Sequence, residues 1–332
     1  MKRLIITLGL CLSVFNMMAQ RMNVELLYDK TAVSPAVVAK AEGNLRALTS
    51  EINSACQGGR PIDLSGVSMS DFARKAINML WKNVHFETRT TNLKDKLWVF
   101  KRSRIMQVMH IPFVLRDDSP VDGDNQDAVV EFDLTGKITD FRFALDPAVE
   151  ESMEKYNEIA DDEIQAIIQK YVQHFYTYYK QKDIDNLNKI FSDDAIIITG
   201  NVIKVKTPEA GIVEKVNFKK QTKTQYLRNL QRCFARNKWI RVDFQILDNP
   251  DGGRGKFITH RRGKNGRDFY GVRLRQEWKS ANGYHDEGYV FLLWEFPEGG
   301  DPIIHVRTWQ PEMLNGKKID YNEIISDTDF IF

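Results

Sequence analysis

The spacing of apolar residues changes in the same direction in each half of this chain. In the second half, Ile164, Ile167, Ile168, Tyr171, Val172, Phe175, Tyr178 and Tyr179 recur three and four apart, which places them on one face of a helix. Leu187, Ile190 and Phe191 predict a shorter helix, Ala195–Thr199 a strand and Thr224–Lys238 another helix. From Trp239 onward the pattern is strand-like, over Ile240–Leu247, Lys256–His260, Phe269–Lys279, Gly288–Phe296 and Ile303–Gln310. Helices come first and a strand meander follows. That order excludes a doubly wound parallel sheet and predicts an α+β fold, with helices packed in a curved antiparallel sheet.

The first half follows the same plan. Val37, Val38, Ala41, Leu45, Leu48 and Ile52 predict a helix over Pro35–Gln57, stopped by Gly58 and Gly59. Ser70 and Asp71 cap a second helix carrying Phe72, Ala76, Ile77, Leu80 and Trp81. Strand character starts at His85, continues through Leu97–Phe100 and Ile105–Leu115, and ends in a hairpin of Ala128–Asp133 and Lys137–Phe143 around Gly136. The architecture repeats, while the sequence does not. A chain of 332 residues has room for two such units. The expected division is a domain over 21–148, an acidic linker over 149–163, a domain over 164–314 and a tail over 315–332.

Residues 1–19 read as a signal peptide. Lys2 and Arg3 precede the apolar run Leu4–Phe15, and Ala19 offers a cleavage point. The run is short for a membrane span, and Leu10 before Cys11 does not suit lipidation. The expectation is therefore an exported protein, periplasmic or secreted, with membrane association at most peripheral. Removing Lys2 and Arg3 cancels the formal charge of +2, so no basic excess points to nucleic acid. Cys56 and Cys233 lie one in each half. Their pairing is left open, and no Cys/His cluster suggests a metal or cofactor.

The segment Tyr178-Tyr-Lys-Gln-Lys-Asp183, followed by Leu187, Ile190-Phe191-Ser-Asp-Asp194-Ala195 and Ile196-Ile-Ile, resembles the NTF2-like (SnoaL-like) superfamily. The likeness lies in a long helix, a short helix and an acid-Ala-apolar start to the first strand, and the closing strands through Trp294 and Trp309 fit it. It covers residues 161–311. The first half, around Gly136-Lys-Ile-Thr-Asp140, resembles a more divergent copy without the acid-Ala-apolar start. The resemblance implies two tandem cone-shaped domains, with a homodimer as one assembly. It also implies either of two roles, a binding or scaffold protein or an enzyme. Enzymes of the superfamily place a carboxylate base and a tyrosine or protonated acid inside an apolar cone. Asp243 and Glu277 are the carboxylates and Tyr178 and Tyr270 the phenols available for those roles, but no catalytic motif of the family carries over to them.

Strand alternation selects the candidate binding residues. Arg273, Arg275 and Glu277 share one face of their strand, and His305, Arg307 and Trp309 share one face of the last. Lining a cone mouth, they would receive an anionic or polar ligand, with Trp309 as a stacking wall. On the convex face they would form a solvated Arg/Glu ladder. His174 and Tyr178 stand beside the aromatic stripe of the long helix. The basic loop His260–Arg267 is either an anion contact or a hairpin tip, and Asp122, Asp124 and Asp127 lack the remaining ligands of a calcium loop.

Charge is segregated as well. Residues 117–163 hold 16 acids and 3 bases, whereas 215–279 hold 18 bases and 5 acids. The two segments either attract each other or a partner, or form separate solvated faces. These features together suggest an exported, non-catalytic ligand-binding or assembly protein of the cell envelope, its partner an envelope protein or a small anionic or polar ligand. The alternative is a SnoaL-like isomerase, cyclase or hydrolase acting on a small hydrophobic molecule. An open cone with a buried acid would favour the enzyme, and a filled cone would exclude it. The segment Tyr321–Phe332 reads as a final edge strand or a docking tail.

Overall fold

The computed structural model describes residues 22–116, 125–147, 149–150, 161–208, 211–245, 247, 258–264, 266–297 and 300–330. The expected signal peptide, most of the acidic linker, Asp122 and Asp124 lie outside them. In the first half, β1 (Asn23–Leu27), α1 (Pro35–Gly58) and α2 (Asp71–Asn83) precede β2 (His85–Glu87), β3 (Asn92–Lys96), β4 (Trp98–Phe100), β5 (Ile105–Arg116), β6 (Asn125–Asp133) and β7 (Ile138–Phe143). Strands β2-β5-β6-β7 form an antiparallel sheet with β4 added along β5, while β1 and β3 pair in parallel apart from it.

In the second half, α3 (Asp162–Gln181) and α4 (Ile184–Ile190) lead into the hairpin β8 (Phe191–Thr207) and β9 (Gly211–Gln221). Next come α5 (Lys223–Arg236), β10 (Ile240–Gln245), β11 (Ile258–Arg262), β12 (Asp268–Ser280), β13 (His285–Glu295) and β14 (Ile303–Pro311). The sheet runs β10-β12-β13-β14-β8-β9 with β11 on β12. It is antiparallel except where β14 meets β8. The described residues thus form an α+β chain with five helices and two large sheets, one in each half.

Local chemistry sets the helix ends. The Ser70 hydroxyl accepts from Ala73 N to cap α2, Asp161 caps α3, and Thr222 and Gln225 form a capping box on α5. Gly136 turns the β6–β7 hairpin at φ 85°, and a Cβ there would come within 2.9 Å of the Val37 carbonyl. Only glycine meets both demands.

The interior of the first sheet is full. Phe86, Phe113, Phe141 and Phe143 are buried, with ring centroids 5.4 to 6.3 Å apart, and Trp81 closes the group against Phe86. Helix α3 lies between the halves and is buried on both sides. One face carries Phe175 and Tyr179 into the second sheet, against Phe244, Phe191 and Trp278. The other is polar and docks on the first half. Gln173 accepts from Arg142 at 2.7 Å, Thr177 accepts from Phe143 N at 3.0 Å, and the Gln181 carbonyl accepts from Asn83 at 2.7 Å.

Several expectations are corrected here. The segment Gly211–Gln221 is a strand that the apolar pattern did not reveal. It is an edge strand, with Ile212 70% and Phe218 50% exposed, so no core imposes alternation on it. Within the tail, residues 321–330 form 3-10 turns over Tyr321–Glu323 and Asp327–Asp329 rather than an edge strand. They dock on the outer face of the second sheet, where Phe330 stacks on Phe291 at 5.9 Å. Cys56 and Cys233 are both free thiols on helices and half-buried. No helix among the described residues is long and apolar enough to cross a membrane.

Candidate ligand-binding site

The second sheet curls around α3 and α5 and leaves a cavity of about 650 Å³ at its mouth. The inward residues of β12, β13 and β14 supply one wall, and α5 supplies the other. Trp278, Asp286, Arg307 and Trp309 come from the sheet, and Tyr226 and Asn229 from the helix. Gly288 and Gly200, on the strands flanking β14, make room for the Trp309 ring. A Cβ at Gly288 would approach it to 2.7 Å and one at Gly200 to 3.2 Å.

Arg307 occupies the floor and is only 5% exposed. Its guanidinium donates to the Tyr179 hydroxyl, which is itself bonded to the hydroxyl of Tyr226. It also lies over the Tyr226 ring, 5.1 Å from the centroid. Nε and Nη1 have no hydrogen-bond partner among the described residues, and no carboxylate forms an ion pair with it there. The same is true of Trp309 Nε1 and of one Asp286 oxygen, Oδ1. Three donors and one acceptor are therefore buried and unsatisfied around one cavity. Each such atom costs about 1–3 kcal/mol when nothing bonds it. Burial pushes the Asp286 carboxyl above its ordinary range, with the Tyr284 hydroxyl bond at 2.6 Å and the Arg307 charge pulling the other way.

The residues singled out by alternation divide between two faces. Arg307 and Trp309 face the cavity. His305 does not share their face, because the pairing of β13 with β14 shifts between Leu293 and Trp294, opposite His305. This bulge turns Ile304 inward with Arg307 and Trp309 but leaves His305 outside. There it bonds Glu295 at 2.7 Å and meets the Phe269 edge at 5.5 Å. Arg273, Arg275 and Glu277 also lie on the outer face. Arg273 bonds Tyr321 of the tail, Arg275 donates to Glu312 at 2.7 Å, and Glu277 pairs with Lys279 at 2.6 Å. Burial acts to raise the Glu277 pKa, but Lys279 and His285 outweigh it and hold the carboxyl below its ordinary range.

One metal-capable group exists among the described residues. Ligand atoms of Glu277, His285 and Glu287 lie within 4.8 Å of one another. Lys279 and Arg275 already neutralise its two carboxylates, which makes it part of the outer ladder.

His174 and Tyr178 line a different cavity, of about 330 Å³, where α3 meets the first half. His174 stacks on Tyr178 at 5.4 Å and lies 2.9 Å from Asp140 Oδ2. Burial pushes the imidazole below its ordinary value against the pull of Asp140. Asp243 is partly exposed, 3.9 Å from Lys180. His260 bonds Asp268 at 3.0 Å and stacks on Tyr270, so its loop is a hairpin tip. Asp286, Tyr284 and Tyr226 were not singled out by sequence. They reach the cavity from β13, from the turn that precedes it and from α5, whose packing no local pattern encodes.

No protein-family profile matches the chain, and no curated protein matches it in sequence. Solved structures of NTF2-like proteins are similar to about half of it. An NTF2-like protein of unknown function from Pseudomonas putida KT2440 is 10% identical with a TM-score of 0.31, covering 48% of this chain and 96% of its own. ActVI-ORFA from Streptomyces coelicolor is 11% identical with a TM-score of 0.29, covering 45% and 98%. Bd1075 from Bdellovibrio bacteriovorus is 9% identical with a TM-score of 0.31, covering 65% and 91%. At these scores they are partial similarities and carry nothing about the site.

Proposed function

We propose that this is an exported, non-catalytic binding protein of the cell envelope, built as two tandem NTF2-like units, in which the second cone holds a small anionic ligand. One observation carries the reading: the buried Arg307 lines a cavity of about 650 Å³, forms no ion pair among the described residues and has two guanidinium nitrogens without a hydrogen-bond partner. An arginine stays protonated in any folded setting and presents a planar fork that suits carboxylate, sulfonate or phosphate. An anion that reaches the guanidinium from the cavity neutralises the charge. Trp309 and Tyr226 then pack on the rest of the ligand. The first cone, filled with phenylalanine rings, serves as the platform on which α3 is fixed. The test is calorimetric titration of the full chain with a panel of small carboxylates, sulfonates and phosphates, beside Arg307→Met. Saturable binding that the variant loses supports the reading, and binding that survives the substitution defeats it.

Asp286 favours a second reading. The cone is open and holds a carboxyl with a raised pKa beside a tyrosine, as proton transfer to a small hydrophobic molecule would need. Binding is preferred because the mouth is rimmed by exposed cations and admits water, whereas a carboxylate base depends on water being excluded. A turnover lost in Asp286→Asn with affinity retained would reverse that preference.

A further inference from the structure

The mouth of the cavity differs from its floor in a way that limits the ligand further. Arg228, Arg232 and Arg236 stand four residues apart along α5 and are all exposed. Like charges at that spacing cost a helix a few tenths of a kcal/mol per pair, and an acid on a neighbouring element would normally relieve them. None does among the described residues. By contrast, Arg102, Arg261, Arg267 and Arg275 all pair with carboxylates. Arg232 and Arg236 line the cavity itself, six and ten residues along α5 from Tyr226, the ring that Arg307 covers, which is about 9 and 15 Å of helix. The lining also includes Tyr226, Leu230, Trp278 and Trp309, which offer apolar surface.

We infer that the ligand of this cavity is an elongated dianion, with one anionic group on Arg307, a second at Arg232 and Arg236, and an apolar middle. This rests on the Arg307 reading and adds the second anchor and the shape. A monoanion would satisfy the floor and leave the arginine stripe unrelieved. A compact polyanion such as inorganic phosphate would reach one end only. The cavity is too small for a macromolecule, so the rim arginines act on the same small ligand as the floor. The rim is exposed to solvent and the floor is not. Salt should therefore weaken the rim contribution first.

The test uses unbranched α,ω-dicarboxylates of increasing length and the monocarboxylates of equal length, titrated into the full chain at low ionic strength and neutral pH. The dicarboxylate should bind at least tenfold more tightly than its monocarboxylate partner at one optimal length, and that advantage should shrink in 0.5 M salt. Arg232→Gln combined with Arg236→Gln, both surface changes, should abolish the advantage, so that each dicarboxylate binds no more tightly than its monocarboxylate partner. Arg307→Gln should weaken both series. If monocarboxylates bind through Arg307 and no dicarboxylate binds more tightly, the dianion inference is wrong and the pocket stands. If neither series binds, or if Arg307→Gln changes nothing, both are wrong.

Discussion

Two arginines, Arg142 and Arg307, are buried on opposite sides of α3, and their surroundings are opposites. Arg142, 1% exposed, donates to Asp140 at 2.7 Å and to Gln173 at 2.7 Å, and lies 3.6 Å from Glu131. Lys170 completes the set on Glu131 at 2.9 Å. Burial works against the Asp140 charge, but His174 and Arg142 outweigh it and keep the carboxyl well below its ordinary range. Arg307 has a tyrosine hydroxyl, a ring face and two idle N–H groups. Arg142 has carboxylates beside it, although Asp140 Oδ1 is itself left without a hydrogen-bond partner, whereas Arg307 forms no ion pair among the described residues. A buried cation with counter-charges in place is neutralised within the fold, whereas one without them is free to be neutralised by an added anion.

The largest way to break this contrast is at Arg142. Arg142→Met leaves Asp140 and Glu131 buried with part of their neutralising charge removed, a loss of about 3–5 kcal/mol. Urea denaturation followed by fluorescence measures it, and a loss under about 1 kcal/mol would mean that the network contributes little to docking.

Glu150 belongs to the same interface. Gln173 donates to it at 2.6 Å, and burial raises its pKa to about 7 from an ordinary 4.5. The folded chain therefore holds this proton longer than the unfolded chain does. Its contribution is fully present below about pH 4.5 and is lost as pH rises through about 7, a total of about 3 kcal/mol at 1.36 kcal/mol per unit. Glu150→Gln should flatten the stability profile across that window. An unchanged slope would place the titration elsewhere.

At Arg307 the sign reverses. Arg307→Met removes a buried charge and two unsatisfied donors from the apo protein, so stability should rise by about 1–2 kcal/mol while anion binding disappears. A thermal melt of the two proteins without ligand decides it. A variant destabilised as strongly as Arg142→Met would make Arg307 a structural residue.

Much of this contrast was hidden in the sequence, for definite reasons. The apolar face of α3 was legible through its spacing. Its other face, with Gln169, Gln173, His174, Thr177 and Gln181, carries no apolar pattern, yet it is buried against the first half. Its composition was the available signal: amides and a hydroxyl prevail there, where a solvated face would carry more Glu and Lys. Arg307 and Trp309 were found by strand alternation, because β14 alternates cleanly from residue 306 to 309 with respect to its neighbours. Both halves read alike as helices followed by strands. Whether the concave side of a sheet is filled or open depends on how rings from non-adjacent strands meet, and periodicity does not carry that.

His305 is where alternation misled, and it offers the smallest effect. Counting by twos from Arg307 puts His305 beside it, but the bulge at Leu293 and Trp294 places it on the outer face against Glu295 and Phe269. Nothing in the local sequence marks that bulge, since neither Gly nor Pro occurs among residues 303–310. His305→Ala should therefore change anion affinity by less than about twofold and cost at most about 1 kcal/mol, the worth of one partly exposed hydrogen bond. Trp309→Ala, two positions beyond Arg307, removes a cavity wall and should weaken binding at least tenfold. Titrating both variants with the same carboxylate tests which face each residue occupies. Equal losses would mean that β14 keeps a regular alternation and that His305 reaches the cavity after all.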